Sequence, residues 1–147
     1  YGSETPLATI AEMWLGLGAR LVVVTRGAEG ATAYYAPAPS TLGSVCAAPP
    51  TQPPKTINAL GEPVPVADTV GAGDTLTGAL LHGLLGCDGG AALTQQLVAQ
   101  SPWHGEAVAR LKEILVSAVT AAAINVSRAG CDPPTAAELS SARSMIA

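Results

Sequence analysis

The sequence is poor in the residue types that mark several large classes of protein. Lysine occurs twice, at Lys55 and Lys112, and arginine and lysine together number 7 against 11 acids, leaving a net charge of −4. No basic stripe can be assembled from so few cations, so nucleic acid is not an expected partner, and small anions must be held by something other than lysine. Three cysteines, Cys46, Cys87 and Cys131, show no CxxC spacing. An odd, scattered set fits a reducing compartment rather than a disulfide framework, and the expectation is ordinary buried thiols. His82 and His104 stand far apart without an HExxH arrangement, so a zinc site has no support. Both are expected on a helix surface or in the core. No apolar run approaches the roughly 18 residues of a membrane span, and no basic-then-apolar leader opens the chain. A cytoplasmic protein without a membrane partner is the expectation. A GxxxxGK[ST] phosphate loop and a GxGxxG dinucleotide fingerprint are also missing.

What is present is core material. At 147 residues, 48% hydrophobic and 12% charged, the chain can bury enough apolar surface to form one domain. Thr5-Pro6 reads as a helix start, Thr5 as cap and Pro6 at the first helical position, with Leu7, Ile10, Ala11, Trp14 and Leu15 at helical spacing until Gly16 and Gly18 end it. The run from Arg20 to Thr25 is apolar and β-branched without alternation, as expected of a strand buried on both faces of a parallel sheet. Helix followed by buried strand gives an α/β class. Gly27 and Gly30 punctuate a turn, and Ala31 to Ala36 can form the second arm of a hairpin. Prolines crowd residues 37 to 65 and exclude regular helix, leaving an ordered surface excursion with short strands expected around Gly43 to Ala48 and Val64 to Ala67. Helices are expected over Gly73 to Leu85, Gly90 to Gln100, from Ser101-Pro102 to about Val126, and over Ala136 to Ser144. Gly78 and Gly83, each costing about 1 kcal/mol inside a helix, suggest close packing there, as does the small Ala121-Ala122-Ala123 run.

The stretch from Ala67 to Thr75, Ala-Asp-Thr-Val-Gly-Ala-Gly-Asp-Thr, lies between an expected strand and an expected helix. Its glycines permit a tight turn whose amides face one way, and the positive end of the following helix adds to them. Such a turn holds an anion without lysine. Asp74 then sets a carboxylate beside the anion, which is unfavourable unless it accepts a proton, for instance from an attacking hydroxyl. Taken alone, the same residues can equally be a chain turn with Asp74 as a helix cap.

The surrounding pattern favours the chemical reading. Asp68-Thr69-Val70-Gly71-Ala72-Gly73-Asp74, continued by Thr75-Leu76-Thr77-Gly78-Ala79-Leu80, closely resembles the carboxy-terminal signature of the ribokinase (PfkB) family of carbohydrate kinases. In matching order, Val24-Thr25-Arg26-Gly27-Ala28-Glu29-Gly30 resembles that family's phosphate-contacting turn, and Ala121 to Gly130 its late helix and loop beside the adenine pocket and a monovalent-cation site. The resemblance implies a three-layer α/β/α fold of which these residues form the carboxy-terminal, nucleotide-binding portion. It implies transfer of the ATP γ-phosphoryl group to a primary hydroxyl of a sugar, with Asp74 as base and Gly71, Ala72 and Gly73 as the anion hole. Thr25, Arg26, Gly27, Gly30 and Asn125 match the nucleotide site. Mg²⁺ would accompany the nucleotide, and K⁺ could be held through backbone carbonyls at Asp68, Val70, Asn125, Arg128 and Gly130, although Pro134 stands where many relatives have serine.

The Ser127 to Thr135 ending looks most like bacterial fructokinases, which favours fructose over ribose, 2-keto-3-deoxygluconate or a nucleoside. The family's sugar-contacting residues, its β lid and its Asn-x-x-Glu magnesium motif match nothing in this chain, so the expectation is the second half of a larger kinase that does not phosphorylate sugar alone. A homodimer is left open, because such kinases pair through their lids. Two other readings stay open: a nucleotide-binding module without catalysis, and an α/β fragment that folds only with a partner chain.

Overall fold

The structure, a computed structural model, describes residues 4–35, 53–86, 93–95 and 105–146. Its elements in chain order are α1 (Leu7–Gly16), β1 (Leu21–Thr25), a 3₁₀ turn (Gly27–Glu29), β2 (Ala31–Tyr35), β3 (Lys55–Ala59), α2 (Ala72–Leu85), α3 (Gly105–Val126) and α4 (Ala136–Ile146). Residues 93–95 are also helical. The strand expected at Gly43 to Ala48, the start of the long helix at Ser101-Pro102, Cys46, Cys87 and His104 lie outside the described residues.

Alternating side chains along the hairpin separate two cores. On one face of the sheet Ala31, Ala33, Tyr35, Ile57 and Ala59 pack with Leu76 of α2 and Leu111, Ile114, Leu115, Ala118 and Val119 of α3. On the other face Tyr34, Val22 and Val24 pack on Ala11 and Leu15 of α1. The result is a layer of helix, a sheet and a second layer of helices, the arrangement a strand pair takes when both faces are apolar. Fully buried Leu111 and Leu115 mark the centre of the larger core.

The sheet order is β1-β2-β3, and both pairings are antiparallel, with Val23 opposite Ala33 and Ala33 opposite Ile57. This departs from the parallel partners expected for Arg20 to Thr25. Leu21 to Val24 are only half-buried, because β1 forms an edge among the described strands, and its apolar character serves two helix layers rather than two flanking strands. β3 was not expected. Lys55, Thr56 and Asn58 are exposed while Ile57 and Ala59 are buried, a one-sided strand of period two that sits directly after Pro53-Pro54. Thr32 donates across the pair to Asn58 Oδ1 at 2.8 Å. The strand expected at Val64 to Ala67 is instead irregular, since Pro63 and Pro65 remove the donors a ladder would need.

The Thr5 cap expected for α1 is not formed: the cap position falls on Pro6 and carries no side-chain hydrogen bond. α1 begins one residue later than expected, at Leu7, with Pro6 extended at the cap (φ −58, ψ 139). It ends as its glycines suggest, with Gly18 at φ 103 and bonds from Gly18 N to Leu15 O and from Ala19 N to Trp14 O. α4 starts at a reciprocal box: Glu138 N donates to Thr135 Oγ1 at 3.3 Å and Thr135 N donates to Glu138 Oε2 at 2.7 Å. The Thr135 amide foremost, then the Thr135 hydroxyl donating to Glu138 Oε2 at 2.9 Å, and Arg128 hold the Glu138 carboxyl down at about 2. Among the described residues no helix is long and apolar enough to cross a membrane.

Candidate functional site

Two glycine turns and one helix face enclose a cavity of ≈ 510 Å³. The first turn closes the β1–β2 hairpin. Arg26 N donates to Gly30 O at 2.7 Å and Gly30 N to Gly27 O at 3.0 Å, while Gly27 at φ 56 and Gly30 at φ 90 take conformations that L side chains avoid. Gly30 also meets the chain leaving β3: a Cβ there would lie 2.1 Å from Ala59 O. Thr25, Gly27, Ala28 and Gly30 therefore come to the cavity as backbone-rich surface beside Gly61 and Glu62.

The second turn starts α2. Gly71 is its amino-terminal cap at φ 76, its carbonyl accepts from Thr75 N at 2.8 Å, and Ala72 N donates to Thr69 O at 3.3 Å. The following amides of Gly73 and Asp74 lie in the first helical turn, where no intrahelical acceptor is available and the helix dipole is positive. Thr69, Ala72 and Gly73 line the cavity. Asp74 is exposed in that first turn, adjacent to lining Gly73 but not itself in the wall, and its carboxylate has no ion-pair or hydrogen-bond partner among the described residues. It is neither buried nor tied up in a salt bridge.

The Asp68 side chain braces this turn. Its Oδ1 accepts from Val70 N at 3.0 Å and its Oδ2 from Gly130 N at 3.2 Å, while its own amide donates to Val126 O at 3.2 Å. Asn125 is fully buried and donates to Val70 O at 2.9 Å. Thus Asp68, Val70, Asn125 and Gly130 are brought together behind the turn. The Arg128 side chain pairs with Asp132 at 3.3 Å and Glu138 at 2.5 Å, and its amide donates to Asn125 O at 3.1 Å.

The remaining expectations divide. Of the five residues assigned to the nucleotide, Thr25, Gly27 and Gly30 line the cavity. Arg26 and Asn125 do not: Arg26 NH1 lies 3.6 Å from Glu29, and Asn125 sits one layer behind the wall formed by Ala122, Ala123 and Val126. Within the small Ala121 to Ala123 run, Ala122 and Ala123 shape the cavity wall, while Ala121 is buried. Cys131 is exposed rather than buried, with its Sγ against Gly71, and His82 lies on the helix surface as expected. Sequence reasoning missed Gly61, Glu62, Val64, Leu76 and Val119 as cavity residues. Glu62 had a signal, a lone acid between Gly61 and Pro63 in an otherwise uncharged stretch.

The wall chemistry decides what can enter. Val64, Val66, Leu76, Val119, Ala122 and Val126 offer apolar contact suited to a flat ring system, and the two glycine turns offer backbone amides suited to anionic oxygens. For a cation behind the α2 turn, the buried Asn125 Oδ1 is an acceptor without a donor among the described residues, beside the Val70 carbonyl. That oxygen-only set fits a monovalent ion. Among the described residues no group of three His, Cys, Asp or Glu side chains could hold a divalent metal.

An α/β protein with an anion-receptive helix start opening on an apolar cavity is the class that this geometry defines. The chain belongs to the pfkB family of carbohydrate kinases, whose sequence profile matches residues 3–138. It is also similar to a fructokinase from Rhizobium leguminosarum bv. trifolii, 37% identical over 84 residues that make up 57% of this chain and 21% of that protein. The matched stretch thus spans well under two thirds of that relative.

Proposed function

We propose that this chain supplies the nucleotide-binding and proton-accepting portion of an ATP-dependent sugar kinase, acting on a primary hydroxyl, with fructose the favoured sugar. The observation that carries the reading is the exposed, unpaired Asp74 carboxylate in the first turn of α2, next to a Gly71-Ala72-Gly73 helix start that opens on the cavity. Membership of the carbohydrate kinase family and the fructokinase similarity support it.

In this reading the nucleoside rests on the apolar wall of α3 and the triphosphate runs between the Gly27–Gly30 turn and the start of α2. Amides of the Gly71-Ala72-Gly73 helix start hold γ-phosphoryl oxygens in line with the incoming hydroxyl, that of Ala72 exchanging its Thr69 O acceptor for phosphate, and the fixed helix start keeps reorganisation small as charge redistributes. Asp74 accepts the hydroxyl proton as the sugar oxygen bonds to phosphorus and the bond to the β–γ bridging oxygen breaks, releasing ADP. Asp68 and Asn125 position the turn. Mg²⁺ carried with ATP would neutralise phosphate charge, and K⁺ held by Val70, Asn125 and Gly130 oxygens would add positive charge behind the anion hole. The sugar-binding elements and lid of the reading belong to the remainder of a larger kinase, and the site works in the cytoplasm.

The test uses the polypeptide that carries this sequence together with the sugar-binding half, screened for ATP-dependent phosphorylation of a sugar panel. Asp74→Asn should lower kcat by 100-fold or more while ATP affinity stays within a few-fold, in line with the usual size of general-base contributions. Equal turnover in wild type and variant removes Asp74 from the mechanism.

A further inference from the structure

Seventeen of the described residues line the cavity, and Glu62 is the single charged side chain among these. A carboxylate in an otherwise apolar wall costs free energy unless its oxygens are satisfied. One oxygen is: Glu62 Oε1 accepts at 2.6 Å from Thr120 Oγ1, a hydroxyl on α3 that is 1% exposed. Thr120 thereby fixes the carboxylate against the helix, and Glu62 Oε2 has no protein donor among the described residues.

Glu62 follows Gly61, which packs on the Gly27–Gly30 turn, so its distance from the α2 anion turn and its negative charge together decide which part of a nucleotide this oxygen would meet. Asn125 marks the level of the anion turn through its bond to Val70 O. Thr120 precedes it by five residues, about 7.5 Å back along the axis at 1.5 Å per residue. A carboxylate is repelled by phosphate oxygens and attracted to N–H and O–H donors. The wall residues flanking it, Val64 and Val119, are apolar.

We infer that Glu62, positioned by Thr120, is a specificity determinant that accepts a hydrogen bond from a neutral donor on the nucleoside part of the bound nucleotide, either the exocyclic amine of the base or a ribose hydroxyl. This rests on the nucleotide site proposed above. Glu62 selects which nucleotide is held, and it takes no part in the proton transfer at Asp74.

The experiment is calorimetric titration of the full chain with ATP, purine riboside triphosphate (no exocyclic amine), 2′-deoxy-ATP and 3′-deoxy-ATP, repeated for Glu62→Ala, Thr120→Val and Thr120→Ser. In the wild type the analogue lacking the donor should bind at least tenfold more weakly than ATP, and which analogue does so identifies the amine or the hydroxyl. In Glu62→Ala that preference should shrink to within about twofold, in Thr120→Val it should shrink partly, and Thr120→Ser should keep it. Glu62→Ala weakening every ligand by the same factor, or leaving the wild-type preferences intact, would reduce Glu62 to a structural tether and overturn the inference while ATP binding stands. Failure of the wild type to bind any of the four would instead sink the nucleotide site itself, and the Glu62 assignment with it.

Discussion

At the scale of single residues, the helix start at Gly71 is the most constrained point of the site. Its φ of 76 is open to glycine and strained for alanine by about 1 kcal/mol or more. A Cβ there would also stand 2.2 Å from Cys131 Sγ and 3.2 Å from Cys131 Cβ. The two costs can be separated. Gly71→Ala should lower unfolding stability by about 1–3 kcal/mol, whereas adding Cys131→Gly should recover the contact part and leave the backbone part. Denaturant unfolding of the four members of this cycle measures the coupling, and strictly additive losses would mean that the thiol does not press on the turn. The same residues show why the sequence was readable here. Gly71, Gly73 and Asp74 follow from local chemistry, a turn that needs positive φ and a helix that needs a start. That Asn125 stands behind the wall instead of in it could not be read, because which face of a small-residue helix meets a cavity is set by packing 55 residues away, at Val70.

At the scale of elements, two glycines that look alike in the sequence of α2 have opposite surroundings. Gly83 faces α3, where an added Cβ would lie 2.6 Å from Ile114 Cγ2 and 3.1 Å from Ile114 Cγ1. Gly78 is exposed, with nothing within 4 Å of the same added atom. The expectation of close packing at both therefore holds at Gly83 alone. Gly83→Ala should destabilise by about 1–3 kcal/mol through forced repacking of the α2–α3 contact. Gly78→Ala should stabilise by roughly 0.5–1 kcal/mol by reducing the freedom of the unfolded chain. Thermal unfolding of both variants distinguishes them, and a shift in the same direction would show that the α2–α3 spacing is looser than this contact. Helical periodicity made α1, α2, α3 and α4 legible, and turn glycines made the hairpin legible. β3 was not, because Lys55 to Ala59 buries only Ile57 and Ala59, and two apolar residues beside a pair of prolines carry too little signal against their setting. Val64 to Ala67 misled for the converse reason. Its valines resemble a strand, but they serve as cavity wall, with Ala67 N held by Val126 O at 2.8 Å.

At the scale of the whole molecule, the cavity is where otherwise separate parts of the chain meet: the β1–β2 turn, the segment after β3, the start of α2 and the carboxy-terminal half of α3. A ligand touching all four is bound by the folded arrangement and by nothing in the unfolded chain, so its binding free energy adds to global stability. At a concentration of 100 times Kd that amounts to about 2.7 kcal/mol. For a chain of 147 residues each kcal/mol raises Tm by roughly 2–4 °C, so saturating ATP should shift the transition by several degrees. Ala122 offers a way to remove the ligand without removing the fold. It is a half-buried wall residue in the interior of α3, a position where leucine suits the helix and the extra methyls would project into free volume. Ala122→Leu should therefore leave the ligand-free Tm within about 2 °C of wild type, lower ATP affinity by tenfold or more and abolish most of the ATP-induced shift. Scanning calorimetry with and without ATP reads all three quantities. An undiminished shift in Ala122→Leu would place the nucleotide somewhere other than against α3, and the division of the site into an apolar helix wall and two amide-bearing turns would have to be redrawn around that location.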